Sequence, residues 1–271
     1  MFTTHLLTDF NLPELEPYRT LKRPLEHQHQ GIFVAEGEKV VRRLLASRFE
    51  VISLLLTPAI RDELRPILEA RPEMLRVYLG QKKQFEDWLG FSMYKGILAL
   101  GRIPPQKSLS EVVSSVKRPC LLVATDGVTS AENLGALVRN CAAFGAQAIL
   151  VNQTSCSPFL RRAVRNSMGA IFQIPAVEKL HLPDALARLK TLGIRLIAAH
   201  PHADCRWLSQ TDLTRDCCLV LGSEGQGLAP ETLAACDEAV AIPMSADVDS
   251  LNVGAAGAVF LYEAARQRGH V

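Results

Sequence analysis

Short apolar runs alternate with charged, helix-compatible stretches along the first hundred residues. The apolar runs are GIFVAEG, VISLLLT, LRVYL and KGILALG, and the stretches between them are EKVVRRLLAS, AIRDELRPILEA and KKQFEDWL. Apolar runs of this length are typical of strands, and the charged stretches have the spacing and length of short helices. The pattern over residues 15–101 therefore predicts a small α/β domain.

The alternation continues beyond residue 118 with more strongly apolar runs. CLLVATDG is followed by NLGALVRNCAAFG, in which apolar residues recur at helical spacing, and then by AQAILVN, AIFQIPA, IRLIAAH, CCLVLG and VAIPM. Helices are predicted over SPFLRRAVRNS, over residues 183–192 and over about residues 251–268. Continuous apolar strands that alternate with helices predict an α/β fold whose sheet is mainly parallel and covered by helices on both faces.

The two patterns are separated by GRIPPQKSLSEVVSSVKRP, which contains two adjacent prolines and several serines and basic residues. This composition is typical of a linker with about one helical turn. We therefore predict a first domain over residues 1–102, a linker over residues 103–117 and a second domain over residues 118–271.

Composition narrows the class of protein. The 271 residues carry a net charge of only +2, which by itself suggests neither nucleic acid nor a membrane, but residues 106–215 carry +6 and residues 216–271 carry −6. Seven cysteines without a CxxC pair indicate reduced thiols and no zinc site. No apolar run approaches the roughly 18 residues that span a bilayer, and no secretory signal is seen. We expect a soluble cytoplasmic protein that binds neither metal nor membrane.

Sites in open α/β sheets lie beyond the carboxyl ends of the strands, so chemistry is expected in the loops that follow the apolar runs. In the first such loop, Asn133 lies near the start of a helix, and Gly135 and Arg139 are one turn apart on the same helix face. The absent side chain of Gly135 would let a substrate approach Arg139. A helix cap followed by a solvated arginine is the alternative interpretation.

The second loop, GSEGQGLAP, places Gly222, Gly225 and Gly227 at a strand-to-helix turn, where glycines let a ligand approach the backbone. Their order is GxxGxG rather than the GxGxxG of dinucleotide sites, and the charge of Glu224 would repel a phosphate. The loop therefore favours a cationic or neutral ligand, and a tight turn with a surface glutamate is the alternative.

The third loop leads into a helix rich in glycine and alanine. Asp249 or Ser250 is predicted to cap this helix, which would begin near Leu251. The small residues 254–258 would let the helix pack its backbone closely against a neighbouring segment, and an ordinary helix–helix contact is the alternative.

Two further features carry less information. Arg161, Arg162 and Arg165 lie on adjacent helical turns in the basic part of the chain, where they form either a phosphate contact or a solvated face. His200 and His202 follow a strand end, but two histidines without a third ligand are poor evidence for a metal.

Together the three loops resemble the three motifs of the SpoU family of RNA ribose 2′-O-methyltransferases. The motifs are N-x-G-x-x-x-R at residues 133–139, L-G-S-E-G-Q-G-L at residues 221–228, and I-P-M…S-L-N-V at residues 242–244 and 250–253. RNSMGAIFQIPA resembles the family's segment between the first two motifs, so the resemblance covers about residues 119–268. Residues 15–101 are similar, more loosely, to the small RNA-binding domain that precedes the catalytic domain in many members.

The resemblance implies a C-terminal trefoil knot, bound S-adenosylmethionine and a homodimer formed through the C-terminal domain. The expected reaction is transfer of the methyl group to a ribose 2′-hydroxyl, and the separate RNA-binding domain favours ribosomal RNA over tRNA. A tRNA methyltransferase of the same family and a non-catalytic RNA-binding protein with this fold are alternatives. A nucleotide-dependent oxidoreductase is disfavoured, because CLLVATDGVTSAENLG lacks the glycine pattern that such enzymes need.

The resemblance, together with the charge pattern, assigns roles to individual positions. The expected catalytic residues are Arg139, Glu224 and Asn133; the cofactor-binding residues are Gly222, Ile242, Met244, Leu251 and Asn252; the residues in contact with RNA are Arg165, Ser250, Arg42 and Arg43. Since a guanidinium is a poor base, we expect Arg139 to hold a phosphate and stabilise the developing alkoxide, with water or Glu224 assisting deprotonation.

Two segments depart from the family pattern. Ser130-Ala131-Glu132 stands where the family often has Asp-Pro-Gly, and Gly254-Ala255-Ala256 stands where it commonly has Ser-Val-Ala. The first change is expected to alter the shape of the loop near the substrate, whereas the second conserves side-chain size.

Overall fold

The computed structural model describes residues 1–201, 206–245 and 249–270, so that His202 lies outside the described residues. The chain forms two compact units. The first unit comprises Met1–Pro105 and Phe159–Phe172, and the second comprises Gln106–Pro158 and Gln173–Val271. None of the helices in the described ranges is long and apolar enough to cross a membrane.

The first unit is built on a five-stranded sheet. Its strands are β1 (Phe2–Leu6), β2 (Ile32–Glu36), β3 (Val51–Leu56), β4 (Leu75–Leu79) and β5 (Ile97–Arg102). Their order is β1–β4–β3–β5–β2, in which β5 runs antiparallel to both of its neighbours. Five helices lie in this part of the chain: α1 (Glu16–Arg19), α2 (Pro24–His29), α3 (Glu38–Ala46), α4 (Pro58–Glu69) and α5 (Lys82–Leu89).

The structure confirms the four predicted strands and three predicted helices of this region. Sequence analysis does not predict β1, because none of its five side chains is fully buried and the strand therefore shows no apolar period. It forms the edge of the sheet, paired in parallel with β4.

The second unit contains the seven-stranded sheet. In chain order the remaining elements are α6 (Leu109–Ser115), β6 (Leu121–Asp126), α7 (Ala131–Ala143), β7 (Ala148–Asn152), α8 (Arg161–Asn166), β8 (Ala176–Leu180), α9 (Leu182–Thr191), β9 (Arg195–Ala199), β10 (Arg206–Trp207), β11 (Cys217–Gly222), α10 (Pro230–Ala235), β12 (Glu238–Ala241) and α11 (Val253–Gln267). The strand order is β10–β12–β9–β11–β6–β7–β8, and every pair of neighbours is parallel.

Helices cover both faces of this sheet. Residues of α6, α9 and α10 share a core with Cys218 and Val220 of β11. On the other face, α11 packs against α7 so closely that a Cβ atom at Gly257 would lie 2.4 Å from Cδ1 of Leu137 and 3.8 Å from Cδ1 of Leu221. The predicted α/β class with a mainly parallel sheet and helices on both faces is confirmed, and the glycines of α11 serve close helix packing.

The helical turn expected within the linker of residues 103–117 is present as α6, which Ser108 and Glu111 cap reciprocally. Val112 and Val113 of α6 are buried in the core of the second unit, so this part of the stretch is a packed helix. One expected strand is wrong. AIFQIPA, expected as a strand, forms a 3₁₀ turn at Ala170–Phe172, and β8 begins only at Ala176.

The segment Phe159–Phe172, which sequence analysis places in the second domain, packs in the first unit. The ring centroids of Phe159 and Phe172 lie 5.8 Å and 5.5 Å from that of Phe33 on β2, and both also contact Phe49. Burial of these aromatic rings holds the segment there, because aromatic contacts add a geometric preference to a large apolar area.

Candidate active site

A cavity of ≈ 330 Å³ opens at the carboxyl ends of β9, β11 and β12. Its lining combines strand ends and loops with one face of α11: Ala199, His200, Pro201, Leu221, Gly222, Ser223, Glu224, Gly225, Gln226, Gly227, Leu228, Ile242, Met244, Asp249, Ser250, Leu251, Val253, Ala256 and Phe260. Four of the five predicted cofactor residues line this cavity, as do Glu224 and Ser250. The fifth, Asn252, lies between two lining residues at the start of α11.

The second glycine loop is closed by backbone contacts. The amide of Ser223 donates to the carbonyl of Gly227 at 3.0 Å, and the reciprocal hydrogen bond has the same length. A Cβ atom at Gly222 would lie 2.2 Å from the carbonyl carbon of Gly227. Only glycine therefore fits at position 222, and the loop presents its backbone to the cavity.

Three side chains connect the three motifs through hydrogen bonds. Asn252 caps α11, because its Oδ1 accepts from the amide of Gly254 at 2.9 Å. Its Nδ2 donates to Oδ1 of Asn133 at 2.9 Å, and Nδ2 of Asn133 donates to Oε1 of Glu224. We call Asn252, Asn133 and Glu224 the amide chain. It fixes one carboxylate oxygen of Glu224 beside the cavity.

The amide chain also corrects the predicted helix cap. The capping residue is Asn252 rather than Asp249 or Ser250, and α11 begins at Val253 rather than near Leu251. All three side chains have suitable oxygens, so their chemistry alone does not distinguish them.

Arg139 lies on the exposed surface of α7, one turn beyond the buried Gly135. Within the described ranges, its guanidinium forms no hydrogen bond or ion pair. The start of the helix is fixed by Ser130, whose Oγ accepts from the amide of Asn133 at 3.3 Å. Arg139 is therefore a cation on a rigid helix, available to a ligand.

Sequence analysis missed a buried polar network beneath the loops. Oδ2 of Asp126 accepts from the amide of Ala229 at 2.9 Å, and Nδ2 of Asn152 donates to Oδ1 of Asp126 at 2.7 Å. Oδ1 of Asn152 accepts from the amides of Gly127 and Ser155. The network joins the loops that follow β6, β7 and β11. The signal was present, since LLVATD and AILVN are apolar strands that each end in a polar residue.

Cys156 is the thiol of the loop that follows β7. Burial raises the pKa of Cys156 to about 11, so its nucleophilic thiolate form is scarce at neutral pH. Among the residues that the structure describes, no three His, Cys, Asp or Glu side chains are placed to hold a metal ion.

The arginines predicted to contact RNA lie in the first unit, and each is held by an acceptor. Arg42 donates to Glu38 at 2.9 Å and also pairs with Glu63. Nη1 of Arg43 donates to the carbonyl of Met168 at 2.6 Å. Nη1 of Arg165 donates to Oε1 of Glu36 at 2.6 Å. These three residues are thus brought into one unit, whereas Ser250 lies at the cavity of the second unit.

The chain is similar to known proteins in sequence and in fold. Residues 120–262 match the family described as SpoU rRNA Methylase. An uncharacterized tRNA/rRNA methyltransferase of Mycobacterium bovis is 33% identical over 270 residues, which cover 96% of this chain and 91% of the relative. The 23S rRNA (guanosine-2′-O-)-methyltransferase RlmB of Vibrio vulnificus is 34% identical over 214 residues, 76% of this chain and 85% of RlmB.

A solved structure extends the similarity to the fold. The crystal structure of the SpoU methyltransferase AviRb from Streptomyces viridochromogenes in complex with AdoMet matches with a TM-score of 0.82 at 25% identity. The match covers 96% of this chain and 100% of AviRb.

Proposed function

Because the chain belongs to the SpoU rRNA methylase family, we propose that it transfers a methyl group from S-adenosylmethionine to a ribose 2′-hydroxyl of ribosomal RNA. The observation that carries the proposal is the cavity at the carboxyl ends of β9, β11 and β12, which is lined by Glu224 of the amide chain and by Gly222. Arg139 on the exposed face of α7 completes the set of catalytic side chains.

The cavity suits S-adenosylmethionine in size and charge. Its volume of ≈ 330 Å³ falls at the small end of the range of about 300–1,000 Å³ for small-molecule sites. The loop lines the cavity with Gly222, Gly225 and Gly227, which add no side chains to it, and the carboxylate of Glu224 favours a cationic sulfonium over a phosphate. Gly222, Ile242, Met244 and Leu251 would hold the cofactor, which supplies an electrophilic methyl group. Asn252 would contribute through the amide chain.

The protein's part in the reaction is positioning and charge stabilisation. With S-adenosylmethionine bound, the methyl group would pass to the 2′-oxygen and S-adenosylhomocysteine would leave. The alignment of the 2′-oxygen with the methyl group by the protein would therefore supply much of the barrier reduction. Asn133 holds one oxygen of Glu224, which leaves the other free to accept the hydroxyl proton directly or through water. Arg139 clamps the adjacent phosphate and stabilises the developing alkoxide.

We also propose that the C-terminal segment forms a trefoil knot. The order of the sheet supports this, because β12 lies next to β10 at one side, whereas α11, which follows it, packs against α7 and β11 in the middle. A chain that passes closely through other segments needs small residues, and α11 supplies them at Gly254 and Gly257.

We propose a homodimer that forms through the second unit. Val259 and Tyr262 on α11 are 39% and 50% exposed, and the ring of Tyr262 contacts Phe144 edge-on. Exposed apolar groups on adjacent turns of one helix are typical of an interface. We place the enzyme in the cytoplasm, since the described cysteines are free thiols and ribosomal RNA is the proposed substrate.

The experiment that tests this function is methyl transfer from labelled S-adenosylmethionine to total RNA from cells that lack the protein. The rRNAs and tRNA are separated afterwards and the labelled nucleoside is identified. We expect 2′-O-methylribose in one rRNA. Label in tRNA would keep the reaction and replace the substrate, whereas cofactor binding without label in any fraction would favour the non-catalytic RNA-binding alternative.

A further inference from the structure

Glu36 is a buried acid of the first unit that lies outside the proposed catalytic site. Its side chain is only 5% exposed at the end of β2, and both of its oxygens are occupied. Oε2 accepts from Nη1 of Arg161 at 3.2 Å, and Oε1 accepts from Nη1 of Arg165 at 2.6 Å. Two guanidinium groups share one carboxylate, so Glu36, Arg161 and Arg165 together keep a net positive charge.

The two arginines on Glu36 differ in their surroundings. The side chain of Arg161 is 23% exposed, and its guanidinium carbon lies 4.8 Å from the ring centroid of Phe91, a cation–π contact. The side chain of Arg165 is 59% exposed and uses one nitrogen, Nη1, for Glu36. Arg161 therefore anchors the group, whereas Arg165 presents its other N–H groups to solvent.

Arg43 reaches the same helical turn from α3. Its Nη1 donates to the carbonyl of Met168, whose own amide donates to the carbonyl of Arg165 at 3.0 Å. Gly169 has a φ of +79°, and a Cβ atom there would lie 3.1 Å from Cβ of Arg43. The stem of Arg43 thus packs over a glycine beside the turn that carries Arg165.

We propose that Arg43 and Arg165 form one binding site for RNA backbone phosphates, and that Glu36 is the positioning residue that holds Arg165 in it. This inference rests on the proposed function and names the surface that would bind its RNA. A guanidinium fixed by one hydrogen bond keeps further N–H donors for a phosphate and loses less freedom on binding than a mobile side chain. The fixed arginines read no base sequence, so they would set the position of the RNA.

The substitution Glu36→Gln tests this proposal, because the direction of the change in RNA affinity distinguishes it from a simple charge effect. The substitution removes a negative charge from a surface that binds a polyanion, so charge alone predicts tighter RNA binding. Loss of the anion that holds Arg165 predicts weaker binding instead. The probe is 23S rRNA transcribed in vitro, and its dissociation constant is measured at several salt concentrations for the full-length protein.

We expect Glu36→Gln to weaken RNA binding by about threefold, because RNA would then have to immobilise the side chain of Arg165 itself. Arg165→Gln and Arg43→Gln should each lower the salt slope by about 0.7. The double variant Glu36→Gln/Arg165→Gln should bind no more weakly than Arg165→Gln alone, because Glu36 acts through that residue. The matched control is Glu50→Gln, an acid that is 51% exposed and paired with Arg102, which should leave the affinity unchanged or raise it slightly.

Glu36→Gln binding as tightly as the wild type, or more tightly, at an unchanged melting temperature would overturn the positioning role. Unchanged salt slopes in both arginine variants would overturn the site itself. If Glu36→Gln does not fold, Arg165→Lys provides a second test at an exposed position. This variant keeps the charge, and it should bind RNA more weakly if the fixed geometry of the guanidinium matters. Methyl transfer by the wild type, measured in parallel, reports on the proposed function separately from these slopes.

Discussion

The two units present their functional groups in different ways. The second unit builds its site from backbone in close contact and short amides: Gly222 against Gly227, and Asn133 between Asn252 and Glu224. The first unit presents long cationic side chains held by acceptors, such as Arg165 on Glu36. Backbone in close contact, as at Gly222, tolerates no added volume, whereas the effect of changing a long cationic side chain should depend on how that side chain is held.

Arg139 is the exception in the second unit, since it is a long, exposed cation for which no described residue provides an acceptor. Lysine at this position keeps the charge but cannot bind a phosphate through two parallel N–H groups. We expect Arg139→Lys to lower kcat by about 10²–10³-fold without changing cofactor affinity. Single-turnover methyl transfer and calorimetry measure the two quantities, with Arg188→Lys on the exposed face of α9 as control. A rate above a tenth of wild type would contradict the clamp.

A methyl group added at Gly222 should show how little volume the second unit accepts. The new Cβ would clash with the backbone of Gly227, and overpacking of this kind lowers the free energy of unfolding by about 1–3 kcal/mol. Because the loop that must shift lines the cavity, we expect Gly222→Ala also to weaken the binding of S-adenosylmethionine. Gly225→Ala adds the same methyl group where no atom lies within 4 Å. Its effect on the dissociation constant of S-adenosylmethionine should be clearly smaller, and equal losses would refute the steric argument.

Asn252→Ala should separate the capping role of this residue from its role in the amide chain. Loss of a helix cap lowers the free energy of unfolding by about 1 kcal/mol. Ser108→Ala removes the cap of α6 and should cost a similar amount without affecting methyl transfer. We expect only Asn252→Ala to lower kcat, by about tenfold, because Asn133 loses a donor and Glu224 is less well oriented. Equal kcat values for the two variants would show that the amide chain is only structural.

The smallest effect is expected at Arg42 of the first unit. This side chain is shared between Glu38 and Glu63, so much of its charge is already compensated. Arg42→Gln should weaken rRNA binding by no more than about twofold and change the salt slope by less than one contact. If Arg42→Gln lost as much RNA affinity as Arg165→Gln, RNA would have to displace Glu38 and Glu63 from Arg42. The contribution of a paired arginine to RNA binding would then not depend on its exposure.

The sequence predicts most strands of both sheets, because strands buried on one or both faces read as apolar runs. It does not predict β1, whose stability comes from pairing with β4 rather than from burial of its own side chains. Nor does it predict where Phe159–Phe172 packs, since the acid that binds Arg161 lies 125 residues away in the chain. The local hydrophobic pattern predicts a helix or a strand, but the segment against which it packs depends on the path of the whole chain.

The candidate site divides in the same way. The glycine loop is evident from spacing, because Gly222, Gly225 and Gly227 punctuate one short turn. The residue that caps α11 is not evident from spacing, since Asp249, Ser250 and Asn252 offer similar oxygens. In the structure, Asn252 is distinguished by its hydrogen bond to Asn133. Asp126 and Asn152 were open to prediction as polar ends of apolar strands, yet their pairing depends on strand order.

The packing of Phe159–Phe172 in the first unit constrains how that unit can be exchanged for another. A chimera with a single crossover between Pro105 and Gln106 would combine a foreign residue 1–105 stretch with Phe159–Phe172 of this chain. The aromatic and arginine residues of Phe159–Phe172 would then pack against side chains that differ from their own partners. A successful graft must carry two separate stretches of gene, and Glu36 must travel with Arg161 and Arg165. The first unit is therefore assembled from two separate stretches of the chain, and neither stretch alone contains the whole unit.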